Sequence, residues 1–157
     1  MGVVEQSQET VEEYLSALEQ SHQSFPVNQT TVAVSVDEYQ RERERADAGS
    51  VDSYVKVENE EGQVLHLDEG DLVLPSARTS EGNIERVTAD AVEESTGIVP
   101  RIEDIEQATI LGIHDTDSDH ETVFRLAVVF KASHQSGSPT SDVVWHSSAE
   151  LPEIVTP

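Results

Sequence analysis

An α/β domain, in which a mixed β-sheet is covered by helices on both faces, is the fold class this sequence predicts, and three stretches predict it. Residues 72 to 98 run as an apolar strand ending in Leu74-Pro75, a short polar loop, and a helical segment closed by Gly97. From Val51 onward the chain is rich in short β-prone runs separated by turn residues. Glu121 to Ala132 is apolar on both alternations, with Phe124, Leu126, Val128 and Phe130 on one and Val123, Ala127 and Val129 on the other. Between Val123 and Phe130 only Arg125 interrupts it. A strand apolar on both sides belongs in the middle of a sheet with cover on both faces.

Taken in order, Gln8 to Ser21 reads as a helix with Val11, Leu15 and Leu18 on one face and Glu12, Glu13 and Glu19 around it. Pro26 ends the connection that follows. Thr30 to Val36 is β-branched and weakly alternating, a strand. Ser35-Val-Asp-Glu is a capping pattern ahead of a short charged helix from Tyr39 to about Gly49. Ser53 to Val57 and Gln63 to Leu67 alternate around Glu58-Asn-Glu-Glu-Gly62 and read as a hairpin, and Asp71 to Leu74 is a further strand. In Asn83 to Thr96 the residues Ile84, Val87, Ala91 and Val92 form an apolar helical stripe, and Gly97 occupies the place of a left-handed residue that ends a helix. Ala108 to His114, Glu121 to Ala132 and Asp142 to His146 are the remaining strands, with His134 to Ser141 a flexible hairpin loop.

Composition narrows the function. Against 32 Asp and Glu stand nine Lys and Arg, of which only Lys56 and Lys131 are lysine, and the net charge is −23. So acidic a chain with regular apolar runs points to a folded protein of a very saline cytoplasm. At about 1 M salt the Debye length is roughly 3 Å and carboxylate repulsion is largely screened. The charge argues against a DNA or RNA partner, since affinity for the phosphate backbone comes largely from Lys and Arg. No basic aromatic patch is present. Zero cysteines exclude disulfides, thiolate metal sites and a cysteine nucleophile. No signal-like apolar run follows Met1 and no stretch approaches 18 consecutive apolar residues, so no membrane is expected and the expected location is cytoplasmic.

Residues 72 to 98 resemble the Nudix box, G-x5-E-x7-R-E-U-x-E-E-x-G-U with U a bulky aliphatic, which follows a strand ending in Leu-Pro-Gly-Gly. Anchored on Val92, Gly97 and Ile98, the Arg-Glu pair of Nudix (MutT-like) hydrolases falls on Asp90 and Ala91, and the Glu-Glu pair on Glu94 and Ser95. Ser76-Ala77 stand where the paired glycines would be, and Gly82 stands at the loop glutamate with Glu81 beside it. The box is therefore degenerate, with Glu94 its one surviving carboxylate. The resemblance covers roughly residues 51 to 155. It implies a Nudix-type α/β/α sandwich over 51 to 157, with residues 1 to 50 an N-terminal extension packed on it.

Nudix enzymes cleave nucleoside diphosphates linked to another group, by attack of water on a phosphorus whose oxygens are already negative. Mg²⁺ or Mn²⁺ must neutralise those oxygens, held by hard oxygen ligands. Carboxylates at i, i+3 and i+4 of a helix converge on one face and can build such a site. In the strict register Ala91, Glu94 and Ser95 offer one charge. In a register slipped by one residue, Asp90, Glu93 and Glu94 offer three, at the cost of turning the helix by roughly 100° and pulling Val92 off the core. A solvated acidic helix face is the plainer reading of the same residues.

The resemblance implies binding of a nucleoside diphosphate derivative with hydrolysis weak or lost, Glu94 a metal ligand assisted by Glu93, Asp90 or Asp142. An active Mg²⁺-dependent hydrolase on the slipped acids is the alternative, and an interaction domain that keeps only the fold is a third. Two other stretches are candidates. Arg41, Arg43 and Arg45 could meet ligand phosphates, or pair along the helix with Glu38, Glu42, Glu44 and Asp47. Asp115, Asp117 and Asp119 begin like a calcium loop, but His120 and Leu126 hold the positions where that loop needs Gly and Glu. His114 and His120 flank the same loop as possible metal ligands.

Overall fold

The computed structural model describes residues 3–22, 24–68, 72–80, 82–116 and 121–147. The elements are α1 (Val3–Ser21), β1 (Val27–Val34), α2 (Val36–Asp47), β2 (Val51–Glu58), β3 (Val64–Asp68), β4 (Leu72–Val73), β5 (Ser76–Thr79), α3 (Ile84–Thr96), β6 (Ile98–Asp115), β7 (Val123–Gly137) and β8 (Val143–His146). One mixed sheet has the order β1-β6-β7-β2-β3-β4, with β5 also paired to β2 and β8 to β3. β1 runs parallel to β6 and β2 parallel to β7, and the other pairings are antiparallel.

β7 is central, as its double apolar alternation requires. Leu126, Val128, Phe130 and Ala132 face a core closed by Val11 and Leu18 of α1 and by Ile84 and Val92 of α3. Val123 and Ala127 face the other way, into a smaller core with Leu111, Ile113 and the α2 residues Tyr39 and Ala46. The fold is thus α/β/α, with α1 and α3 over one face and α2 over the other. His22 contacts Glu85 and ties the end of α1 to the first turn of α3. No described helix is long and apolar enough to cross a membrane.

Local chemistry sets the element ends. Ser35 caps α2 by accepting the Glu38 N–H at 3.2 Å, with Asp37 and Glu38 at the positive end of the helix dipole. In the β2–β3 connection the Asn59 side chain accepts from the N–H groups of Glu61 and Gln63, and Gly62 has φ +77°. The first helix starts at Val3 and not Gln8, and the first strand spans Val27 to Val34 because Ser35 is spent as the cap. Arg41 and Arg45 pair with Glu38 and Glu42 at 2.6 Å, the intrahelical alternative.

Three expectations fail for identifiable reasons. β6 is 18 residues long, its first ten hidden by register shifts between Val99 and Pro100, Ile102 and Asp104, and Ile105 and Gln107. Bulges break the period of two on which strand reading depends. The expected flexible loop loses His134 to Gly137 to strand β7, whose ladder continues to Ile98↔Gly137. β5 lies in the expected polar loop and is fixed by its pairing with β2, which its sequence does not announce.

The acidic surface leads to an expected outcome in salt. If the charge of −23 is adaptation to high salt, the melting temperature should climb steadily from about 0.1 to about 2 M KCl as repulsion is screened. Differential scanning calorimetry across that range checks it, and a flat melting temperature contradicts it.

Candidate functional site

α3 carries the box residues, and its rotation decides the register. Asn83 caps it, accepting the Arg86 N–H at 3.0 Å, and Gly97 ends it with φ +79°. Its buried positions are Ile84, Thr88, Val92 and Thr96, spaced four apart. Val92 and Ile98 are both 0% exposed, whereas Glu93 is exposed, which is the rotation of the strict alignment. Ala91 and Val87 are only half-buried, because Thr88 and Thr96 take the inner stripe. Both threonines satisfy their hydroxyls there, Thr88 with the Ser53 hydroxyl at 2.7 Å and Thr96 with the Val92 carbonyl at 2.6 Å.

Asp90, Glu93 and Glu94 are all on the exposed side of α3. Asp142 is exposed too, beside β8, in a left-handed conformation with φ +69°, and its carbonyl accepts the Asp68 N–H at 2.8 Å. Among the described residues no three of His, Cys, Asp and Glu are gathered as a metal ion needs. The donor set on α3 is thus a poor fit for a divalent cation. Of the loop candidates, Asp115 is buried at the end of β6, while Asp117, Asp119 and His120 lie outside the described residues, as does Glu81.

The sheet face under α2 holds the strongest electrostatic cluster, which sequence reading registered only as the charge interrupting β7. Arg125 is 1% exposed. Its Nη1 donates to Glu42 at 2.6 Å and its Nε to the Ser50 carbonyl at 3.1 Å. Nη2 lies 3.0 Å from Asp52 Oδ1, yet it is not aligned to make a hydrogen bond with it. That oxygen instead accepts from Arg78 Nε at 2.9 Å. The contact of Nη2 with Asp52 is therefore an ion pair without directional bonding, and Asp52 is shared by two guanidinium groups.

Beside this cluster opens a cleft of about 320 Å³, lined by Asp52, Ser53, Tyr54, Ser76, Ala77 and Arg78. Its walls follow from register. β2 and β5 place Asp52 opposite Arg78 and Tyr54 opposite Ser76, all on the α2 side of the sheet. Asp52 holds Arg78 by Nε alone, and among the described residues no hydrogen bond uses the terminal nitrogens of Arg78 or the hydroxyls of Tyr54 and Ser76. Burial, reinforced by the charge of Asp52, raises the Tyr54 pKa and keeps the phenol protonated as a donor. Burial is the largest influence on Arg78 and opposes its charge, but the hydrogen bond to Asp52 and the charges of Asp52 and Glu42 together outweigh it and the pKa is raised. A guanidinium fork and two hydroxyls in a recess of this size suit an oxyanion on a small organic ligand. The signal for this site lay in strand pairing, which the residues of β5 do not reveal.

The sequence matches no protein-family model and no curated protein. Among solved structures, the chain is similar to the MutT protein of Bacillus halodurans, with TM-score 0.47, 19% identity, and coverage of 62% of this chain and 67% of that one. A Sinorhizobium meliloti protein described as an oxidoreductase gives TM-score 0.45 at 19% identity, over 70% of this chain and 35% of that one. The NUDIX domain of Shewanella oneidensis NrtR, solved in complex with ADP ribose, gives 0.42 at 13% identity, over 86% and 81%. At these scores the likenesses carry no function over to this chain.

Proposed function

We propose that this chain is a Nudix-like domain that binds a nucleoside diphosphate-linked ligand, with pyrophosphohydrolase activity feeble or lost. The observation that carries the reading is the rotation of α3. With Val92 and Ile98 fully buried and Gly97 at φ +79°, the residues at the box's metal-binding positions are Ala91, Glu94 and Ser95. One negative charge stands where the box has three. The cleft supports the binding half of the proposal, since Ser76 and Ala77 at the paired-glycine positions line it beside the free donors of Arg78 and Tyr54. Phosphate oxygens would accept from Arg78 and the two hydroxyls, while Asp52 fixes the guanidinium in place.

The second reading, an active enzyme, is favoured by one fact: Asp90, Glu93 and Glu94 are all exposed and share a helix face. Mg²⁺ or Mn²⁺ would then have to draw those three carboxylates together, since the described residues do not gather them. The two readings separate in one assay. The protein is incubated in high KCl with either metal and nucleoside triphosphates, ADP-ribose, NADH or dinucleoside polyphosphates, and phosphate is measured after a coupled phosphatase. Loss of transition-state charge neutralisation costs several kcal/mol, each ~1.4 kcal/mol being tenfold in rate, so turnover near background is expected. Turnover above about 0.1 s⁻¹, still far under the ~10 s⁻¹ typical of enzymes, sinks the proposal. In that case Glu94→Gln and Asp90→Asn locate the site, since loss with Glu94→Gln alone marks the strict register and loss with both marks the slipped one.

A further inference from the structure

β1 is an outer edge of the sheet, and it lacks the devices by which edge strands avoid other chains. Its eight residues, Val27 to Val34, hold no charge and no proline in a chain that is 26% charged. Edge strands of monomers are usually short, bulged, or guarded by lysine, inward charge or proline. At the far end of the strand order β4 is two residues long. The parallel ladder with β6 fixes which backbone groups point outward. The carbonyls of Pro26 and Val34 accept from Ala108 and Thr116 at 3.0 Å, so even-numbered residues send their groups to β6. Val27, Gln29, Thr31 and Ala33 therefore aim both N–H and C=O away from the sheet, and all four are exposed. Among the described residues no strand pairs with that side.

The geometry points to a second copy of this chain as the occupant, with β1 added to β1 antiparallel about a two-fold axis at Thr30. The outward-pointing residues are centred on Thr30, so this register uses all of them. Gln29 meets the partner's Thr31 and Val27 meets the partner's Ala33, each pair exchanging both backbone hydrogen bonds, while Thr30 meets the partner's Thr30 in the closer non-bonded position. A slip of one residue sets outward groups against inward ones and is excluded. Charge selects the same site. Two chains of net charge −23 repel, and a strand without charge is where they can meet with no carboxylates directly opposed. Val27, 44% exposed and one of the few large apolar side chains left in solvent, is covered in the pair.

Sedimentation equilibrium of the full chain in about 2 M KCl tests this as protein is raised roughly a hundredfold from micromolar concentration. The apparent mass should rise from 17.2 kDa toward twice that value, and dilution into low salt should reverse it. Thr31→Pro removes one outward N–H and leaves the ladder to β6 intact, and Thr31→Lys places a guarding charge on the edge. Each is expected to weaken association by about tenfold or more with an unchanged urea midpoint. Hydrogen exchange at the Thr31 amide should slow as the wild type is concentrated. A wild type that stays monomeric throughout, an association that both variants leave intact, or Thr31 exchange independent of concentration overturns the inference. Should Thr31→Pro not fold, Thr31→Lys decides alone.

Discussion

Arg125→Ala is expected to destabilise the protein by about 3 to 5 kcal/mol, the range for removing one partner of a buried ion pair. Arg125 is 1% exposed, and the Glu42 and Asp52 side chains that face it are 15% and 24% exposed. Without the guanidinium, the Ser50 carbonyl loses its donor and the Glu42 and Asp52 carboxylates lose the buried charge between them. Glu42 retains Arg45 at 2.6 Å and Asp52 retains Arg78 at 2.9 Å, so the Ser50 carbonyl is the group left without a substitute. Urea unfolding at fixed high KCl measures it, since urea leaves ionic strength unchanged. Arg125→Lys keeps the charge but cannot reach three acceptors spread as these are, and should fall between wild type and Arg125→Ala. A cost under about 1 kcal/mol for Arg125→Ala would mean that the cluster behaves like exposed ion pairs, contrary to its burial.

Gly97→Ala carries the second large effect, about 2 to 4 kcal/mol. A Cβ there would lie 2.5 Å from the Ser138 carbonyl oxygen and 3.0 Å from Thr140 Cγ2, and φ is +79°. The positive φ alone costs an L-residue roughly 1 to 2 kcal/mol, and the contact with backbone adds to it. Gly82→Ala is the control, because Gly82 has φ +90° with nothing within 4 Å of its added Cβ. The difference between the two urea midpoints isolates the close approach of the chain after β7 to the end of α3, where Thr140 N–H donates to the Thr96 carbonyl at 2.9 Å. Equal losses at the two glycines would contradict that packing.

What was legible in the sequence divides along physical lines. Ser35 and Gly97 announced helix ends because capping is local chemistry, and β7 announced itself because a central strand must be apolar on both sides. Of the α3 stripe, Ile84 and Val92 are buried as read, while Val87 and Ala91 yield the inner places to Thr88 and Thr96. Each threonine buries its hydroxyl against a partner that only the fold supplies, Ser53 and the Val92 carbonyl. The first half of β6 was hidden by its bulges. Of the site residues, Asp90, Glu93 and Glu94 were located on α3, whereas the cleft depends on Asp52 meeting Arg78 and Tyr54 meeting Ser76. That pairing is non-local, between residues that no motif links.

The most direct test of ligand binding without hydrolysis is a single ³¹P NMR titration. ADP-ribose is added with Mg²⁺ in about 2 M KCl, where the acidic surface is screened, and spectra are followed over hours. The diphosphate resonances should shift or broaden on addition of protein, Arg78→Ala should abolish the change, and no phosphate monoester signal should grow in. Diphosphate resonances that protein leaves untouched, or steady conversion to monoesters, would contradict binding without hydrolysis.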